Sequence, residues 1–386
     1  MFNKFINLYP FSLLHNCYTY SYEFHRNSMD STGFFWIPTE RKGINLMEKT
    51  TLKDIADKAG VSMMTVSNVI NGKSSRVSSR TADKINAIIK ECGYVPNLSA
   101  RSLTSKTSNI IGVILSVDTY EENSLENPYI STMLGVIERE LTKNGYYMML
   151  RSVSWESDVS QFLRNWNVDG IIFLFPYFER YAGEFIVKPS CPFVAFDTYL
   201  QIPKIINILS DDKKGLYLST KYMVNRGHSH IAFVANYENN ELLTQRFLGY
   251  KQVLEECGIP FRPEYVLNNI PSYEGGLAAG KKIASMNEGI TAVVTTADIC
   301  AIGIMEGARL SGLRVPIDLS VIGYDDLSLC RFTTPKLTSI SQNVELKAQT
   351  AIKLLLEKIL AGNNDDPCQI TLDVELVERQ SVISLF

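Results

Sequence analysis

The chain has little of what most catalytic sites require. It holds four histidines in 386 residues, two of them in the first 46 and the others at His228 and His230. Its seven cysteines are scattered, without a C-x-x-C pair or a Cys/His cluster at metal-ligand spacing, so no metal site is expected. Cys92, Cys257 and Cys300 fall in helical apolar patterns and read as buried, reduced thiols. There is no Walker loop, no G-x-G-x-x-G, and no serine with His and Asp in a nucleophile elbow. Asp325-Asp326 has the composition of a glycosidase pair, but adjacent residues at a strand end point in opposite directions. No catalytic constellation and no cofactor are therefore expected. Long apolar runs are missing too: Phe11–Leu14 is too short to span a membrane, and no small-residue cleavage site follows it.

A strong net charge is also lacking, but the balance of −3 hides a partition. Residues 47–108 carry ten Lys/Arg against five Asp/Glu, while residues 109–386 carry 24 against 33. A basic segment on an acidic body fits a phosphate-binding module joined to something that is not one. The length suffices for two or three domains.

The basic segment is organised around Thr51–Asn71, TLKDIADKAGVSMMTVSNVIN. Thr51 followed by Asp54 has the form of a capping box, and Ile55, Ala56 and Ala59 share one helical face. Gly60-Val61 breaks that helix and Ser62 can cap a second, whose buried stripe is Val66, Val69 and Ile70. Met63, Met64, Thr65, Ser67 and Asn68 are left outward or near its start. This pattern predicts a helix-turn-helix whose second helix enters the major groove, the alternative for this stretch alone being an ordinary αα-hairpin at a domain edge. A third helix is predicted over Thr81–Cys92 from Ile85, Ile88, Ile89 and Cys92, stopped by Gly93.

These residues match a known pattern in register: D-I-A-x-x-A-G-V-S-x-x-T-V-S from Asp54, then R-V-S at Arg76, G-Y-x-P-N at Gly93 and A-R-S-L at Ala100. The chain from Met47 onward resembles the lac-repressor (LacI/GalR) family. The resemblance implies DNA contacts at Thr51, Ser62, Met63, Met64, Thr65, Ser67, Asn68, Arg76, Ser78, Thr81, Tyr94, Asn97, Ala100 and Leu103. Asn68 stands where the family usually has Arg, and Thr65, Ser67, Ser78 and Thr81 fall to phosphates. Leu103 would wedge between base pairs from a short hinge helix opened by Asn97. His228-Ser229-His230, although it looks like a triad fragment, occupies a segment that leads into a strand in this family, so its role is structural.

Residues 1–46 are rich in Phe and Tyr, show no sustained period and precede the family pattern. We read Met47 as the start and 1–46 as a non-native leader, the alternative being an extension with its own function. The expected domains are then a helix-turn-helix head at 47–96, a hinge helix and linker at 97–108, and an effector-binding and dimerisation domain at 109–386. The last reads as strands alternating with helices, from the apolar run Ile110–Val117 to a final strand near Ile370–Val377. The resemblance implies two α/β, Rossmann-like lobes in a clamshell of the periplasmic-binding-protein kind, with three crossings between them. We expect lobe 1 at 109–210 and 344–367, and lobe 2 at 211–341 and 368–386. Without a leucine-heptad tail before Phe386, a homodimer is expected.

Ligands of open α/β sheets lie at the carboxyl ends of strands. Asp197, Asp298 and Asp325 follow apolar strands, Arg246 stands in QRFLGY, and Tyr129 opens the helix after the first strand. Together with Gln342, these match positions where the family contacts effectors; their chemistry suits a sugar or sugar derivative. Three departures leave a nucleoside or a protein co-effector open: Thr296-Ala297-Asp298 in place of A-N-D, Pro271 in place of an aromatic, and the acidic run Glu121–Glu126. The expected protein is a cytoplasmic, non-membrane transcriptional regulator, a repressor of carbohydrate-related genes that binds double-stranded operator DNA. The alternative is a solute-binding receptor without DNA function.

Overall fold

The computed structural model describes residues 50–70, 72, 76–94, 107–117, 124–154, 167–174, 191–199, 205–238, 240–286, 288–362 and 368–386. The chain divides into two units, residues 1–95 and 96–386.

In the first unit, α1 (Leu52–Ala59), α2 (Met63–Ile70) and α3 (Ser79–Glu91) form a small helical core. The capping box of α1 is complete: Thr51 N donates to Asp54 Oδ2 at 2.7 Å, and Asp54 N to Thr51 Oγ1 at 3.3 Å. Gly60 ends α1 at φ +69°, a conformation that costs glycine nothing. Lys84 Nζ donates to the Ala59 carbonyl at 2.8 Å, satisfying one of the acceptors that a helix end leaves open. Ile55, Ala56, Ala59, Val66 and Ile85 are buried together, with Val61, Val69, Ile88, Ile89 and Tyr94 packed around them.

The second unit contains two sheets. The first joins β1 (Ile110–Val117), β2 (Tyr147–Ser154), β3 (Gly170–Leu174), β4 (Phe193–Phe196), β5 (Ile205–Ser210) and β11 (Cys368–Leu372) in the order β11-β5-β4-β3-β1-β2. The second joins β6 (Ile231–Val234), β7 (Val266–Leu267), β8 (Ala292–Thr295), β9 (Ser320–Asp325), β10 (Thr338–Ser341) and β12 (Glu375–Val377) in the order β12-β10-β9-β8-β6-β7. All pairings are parallel except β10–β12. The wholly buried runs of β3, β4, β5, β6, β8 and β9 are what a parallel sheet covered on both faces demands. Helices α4 (Pro128–Lys143) and α9 (Val344–Ala361) pack on the first sheet. The second is covered by α5 (Asp212–Asn225), α6 (Glu241–Glu256), α7 (Tyr273–Ser285) and α8 (Asp298–Leu310).

Two expectations change. Cys368–Leu372 belongs to lobe 1, not lobe 2: it pairs with β5, Ile370 opposite Ile208, and the chain crosses over only after Leu372. Its half-buried Cys368, Ile370 and Leu372 alternate with exposed Gln369 and Thr371, the pattern of an edge strand. The single strand expected near 370–377 is thus two strands in two sheets. Of the three thiols expected to be buried, Cys300 is, but Cys92 and Cys257 are half-buried. These two sit at the C-caps of α3 and α6, each with a lysine ammonium at 3.2 Å, Lys58 and Lys221 respectively.

Helices α7 and α8 touch backbone to backbone. A Cβ on Gly276 would strike the Cys300 carbonyl, one on Gly303 the Tyr273 carbonyl, and Gly280 and Gly307 repeat the contact one turn on. A methyl group there forces the two helices apart. Gly303→Ala is expected to lower the stability of the second unit by about 1–3 kcal/mol, measured by denaturant unfolding, whereas alanine at exposed Lys281 or Lys282 should change it little.

Candidate functional site

The residues expected to meet DNA group at two helix starts of the first unit. At α2, Ser62 Oγ accepts from Thr65 N at 3.1 Å and lies 2.9 Å from Thr65 Oγ1. At α3, Ser78 Oγ accepts from Thr81 N at 3.3 Å and lies 2.8 Å from Thr81 Oγ1. Each start thus presents hydroxyls beside free helical N–H groups, the arrangement that receives phosphate oxygens. Met63 and Met64 are exposed, Ser67 and Asn68 half-buried, and Thr51 and Arg76 exposed. Tyr94 differs in packing against the helical core. Asn97, Ala100 and Leu103 lie outside the described residues, as do Glu121–Asn123 of the acidic run.

The expected effector residues converge in the second unit at the carboxyl ends of the strands. Asp197 follows β4 with φ +54°, and Asp325 closes β9 with φ +114°; neither is glycine, and both backbones are strained in the way that marks functional turns. Lys347, in the first turn of α9, has no solvent exposure. Its Nζ donates to Asp197 Oδ1 and Oδ2 at 2.6 and 2.7 Å, Ser210 Oγ at 3.0 Å and Gln342 Oε1 at 2.9 Å. Gln342 Nε2 in turn donates to Asp325 Oδ1 at 2.6 Å, so one amide joins lobe 1 to lobe 2. Tyr129 OH reaches Asp197 Oδ2 at 3.4 Å. Burial and then the Asp197 charge push the Tyr129 phenol well up, which keeps it protonated and a donor.

A second bridge runs beside the first. Arg246 Nε donates to Asp212 Oδ1 at 2.8 Å and Nη1 to the Thr296 carbonyl at 2.6 Å, while its guanidinium stacks 3.7 Å over the Tyr324 ring. Tyr199 OH, on lobe 1, donates to Asp212 Oδ2 at 2.9 Å. Burial opposes the Arg246 charge, but Asp212, Tyr324 and Asp325 outweigh it and raise its pKa. Asp325, buried and near Asp298, is pushed well above the carboxylate range. An open pocket of about 410 Å³ adjoins this network on the Asp212 side, lined by Tyr199, Ser210, Asp212, Gln245 and Gln369 among others.

Asp298 stands apart. Its oxygens accept from Leu327 N at 2.8 Å and Ser339 Oγ at 2.5 Å inside lobe 2, and burial pushes its carboxyl up to about 6. It holds the loop after β9 instead of facing the cleft residues. Asp325 and Asp326 diverge, the latter pairing with Arg379. His228 lies between Thr291 Oγ1 at 2.9 Å and the Ile383 carbonyl at 3.1 Å. Sequence reasoning missed Lys347, Asp212, Ser210, Tyr199 and Tyr324. It also passed over Thr296, whose Oγ1 is buried next to Arg246 without a hydrogen-bond partner.

The fold and these sites define a class: a helix-turn-helix head followed by a two-lobed α/β sensor. Residues 51–97 match the model of the bacterial regulatory proteins of the lacI family, and residues 220–382 that of a periplasmic binding protein-like domain. The ribose operon repressor of Haemophilus influenzae is 30% identical over 339 residues, covering 87% of this chain and 99% of the relative. The lac repressor dimer bound to operator and an anti-inducer superposes with a TM-score of 0.73 at 28% identity, covering 87% of this chain and all of that one. A LacI family regulator from Enterococcus faecium with bound ribose has a TM-score of 0.62 at 27% identity, over 72% of this chain and all of that one. The chain belongs to the lacI family of bacterial regulatory proteins, which are DNA-binding transcriptional regulators with small-molecule effectors. A receptor lacking a DNA head is not favoured.

Lys347 carries the cleft's charge balance. Lys347→Met should cost about 3–5 kcal/mol of stability, because it strands a largely buried carboxylate. Lys347→Met combined with Asp197→Asn should recover most of that loss. Unfolding titrations of the two single variants and the double variant measure the coupling.

Proposed function

We propose that the chain is a repressor of carbohydrate-related genes in the cytoplasm, that two copies bind a palindromic double-stranded operator, and that a sugar-like effector in the inter-lobe cleft controls this binding. The observation that carries the reading is the convergence, behind a capped helix-turn-helix, of charged and hydroxyl side chains from both lobes. Tyr129, Asp197, Ser210 and Lys347 come from lobe 1, Arg246, Thr296 and Asp325 from lobe 2, and Gln342 from the crossing between β10 and α9. The relatives support each part: the lac repressor structure holds operator DNA, and the Enterococcus faecium regulator holds ribose.

The cleft favours a neutral polyol. Lys347 is matched by Asp197 and Arg246 by Asp212, and burial favours the neutral form of Asp325, so no cation is left over. A phosphorylated sugar would bring negative charge into a cleft with no uncompensated cation; hydroxyls can bond to the Asp325 carboxyl and accept from Arg246. The Thr296 hydroxyl supplies one more contact. An effector that touches both lobes prefers one lobe angle, and only that difference in affinity can change operator binding.

On the head, Asn68 pairs with adenine through its amide while Met63 and Met64 pack on thymine methyls. Asn68→Arg should therefore shift the preferred operator towards guanine at one position in each half-site, read by selection from random duplexes; identical motifs for both proteins would reject the assignment. Removing the Thr65 or Ser78 hydroxyl should instead weaken all sequences about equally.

For the cleft, Asp325→Asn keeps shape and the Gln342 contact but turns the second carboxyl oxygen, an acceptor for an effector hydroxyl, into an amide nitrogen that can only donate. A panel of neutral sugars beginning with ribose, titrated against the operator complex, identifies the effector. Its potency should fall about ten- to a hundredfold in Asp325→Asn, with operator affinity unchanged when no sugar is present. An undiminished response would put the effector elsewhere.

A further inference from the structure

Among the described residues, the only exposed methionines are Met63 and Met64, at 53% and 70%, and they are neighbours in the first turn of α2. Met133, Met223 and Met305 are buried in the lobes, and Met148, Met149 and Met286 are half-buried. α2 has no charged side chain at either end, so base contacts there fall to neutral groups. A flexible thioether fits an apolar base edge well, but it is also a side chain that oxidation converts from apolar to polar.

We propose that Met63 and Met64 form an oxidation-sensitive element of the DNA-reading helix, and that a hydroperoxide of small size releases the operator by converting them to sulfoxides. The thioether sulfur attacks the terminal peroxide oxygen; an S–O bond forms and the O–O bond breaks. The leaving oxygen takes up a proton and departs as water or an alcohol. Each sulfur loses two electrons and each peroxide gains them. The sulfoxide oxygen is a strong acceptor, and placing it against a thymine methyl removes its water without giving it a donor. Contacts from Thr65, Ser78 and the surrounding lysines to phosphates are untouched, so binding to unrelated DNA survives while sequence preference is lost.

Burial and exposure make the response selective. Peroxide reaches the α2 sulfurs in the free head but not the core methionines, and a bound operator covers the two sulfurs. Oxidation and operator binding therefore exclude each other, and each weakens the other. Among the described residues of the same unit, the competing target is Cys92, whose half-buried sulfur lies 3.2 Å from Lys58 Nζ and not on α2.

The inference rests on α2 being the reading helix. The test uses the full chain and an operator duplex recovered by selection. Hydrogen peroxide is added to the free protein and to the complex, and sulfoxide at each methionine is followed by peptide mass. Operator affinity of the oxidised protein should fall about tenfold or more, the size of one lost base contact, with binding to an unrelated duplex nearly unchanged. A Cys92→Ala variant should respond like the wild type. The double variant Met63→Leu, Met64→Leu, assayed on an operator selected with that variant, should keep its affinity after the same treatment. Operator should slow sulfoxide formation at Met63 and Met64 but not at Met148 or Met149, and a methionine sulfoxide reductase should restore binding. If oxidised wild type binds operator as before, or the leucine variant loses as much, the inference falls and the reading of α2 stands. If selection returns no motif even before oxidation, the reading falls and takes the inference with it.

Discussion

Lys347 holds an ammonium with no exposed surface, and the middle of the sensor is arranged around that charge. Burying an unpaired cation costs several kcal/mol, so α9 can seat against lobe 1 only when its partners are in place. Those partners come from distant parts of the chain: Asp197 from the end of β4, Ser210 from the end of β5, and Gln342 from the crossing before α9. Gln342 then passes the connection to Asp325 at the end of β9. The lysine is neutralised within lobe 1 by Asp197, and Gln342 extends the same network to the strand end of lobe 2. Each ion pair is completed within its own lobe, and the lobes are joined by the Gln342–Asp325 and Tyr199–Asp212 hydrogen bonds.

The packing of the second unit sets which of its parts can move. Helices α7 and α8 meet through four glycines, and Gly249 on α6 lies against the Lys213 carbonyl of α5. Packing at that distance leaves no room for sliding, so lobe 2 moves as a body. The soft positions are elsewhere: the chain crosses between the sheets around residues 211, 342–343 and 373–374, and Asn343 has φ +45°. Asp197 and Asp325, also with positive φ, stand at the cleft itself. Rigid bodies joined by a few strained connections give a ligand in the cleft two discrete arrangements to choose between.

How much was legible in the sequence follows from how local each feature is. The helix-turn-helix could be read because caps, the glycine stop and the apolar stripe all act within a few residues, and the structure contains each of them. Most strands were visible as apolar runs. β10 was not, since Thr338-Ser339-Ile340-Ser341 is polar and its buried hydroxyls are satisfied by residues far along the chain, such as Asp298. The split between β11 and β12 was hidden because the crossing at Asp373-Val374 keeps a strand-like composition. Of the cleft, the carboxylates at strand ends were legible from topology. Lys347 was not, although a signal existed: it shares the i, i+3, i+4 face of Val344, Ala348 and Ala351, all buried. A lysine on a buried stripe must have a partner, and looking for one leads to Asp197. Asp212 was overlooked because a carboxylate in a first helical turn is explained well enough by the helix dipole.

Charge partition completes the picture of how affinity and specificity are divided. Among the described residues of the head, the exposed cations Lys53, Lys58, Arg76, Arg80, Lys84 and Lys90 lie on α1, α3 or the segment between α2 and α3, and none on α2. Phosphate attraction therefore comes from residues around the reading helix, and it is screened by salt in the usual way. The net acidic balance of residues 109–386 opposes nonspecific attraction of that part of the chain to DNA. What α2 adds is neutral: two thioethers, an amide and hydroxyls, which contribute little to bulk attraction but differ sharply in which base edge they accept. A head built this way can lose its sequence preference without losing its hold on DNA. On the proposed reading of α2, that separation would let small changes there, by mutation or by chemistry at sulfur, redirect binding without abolishing it.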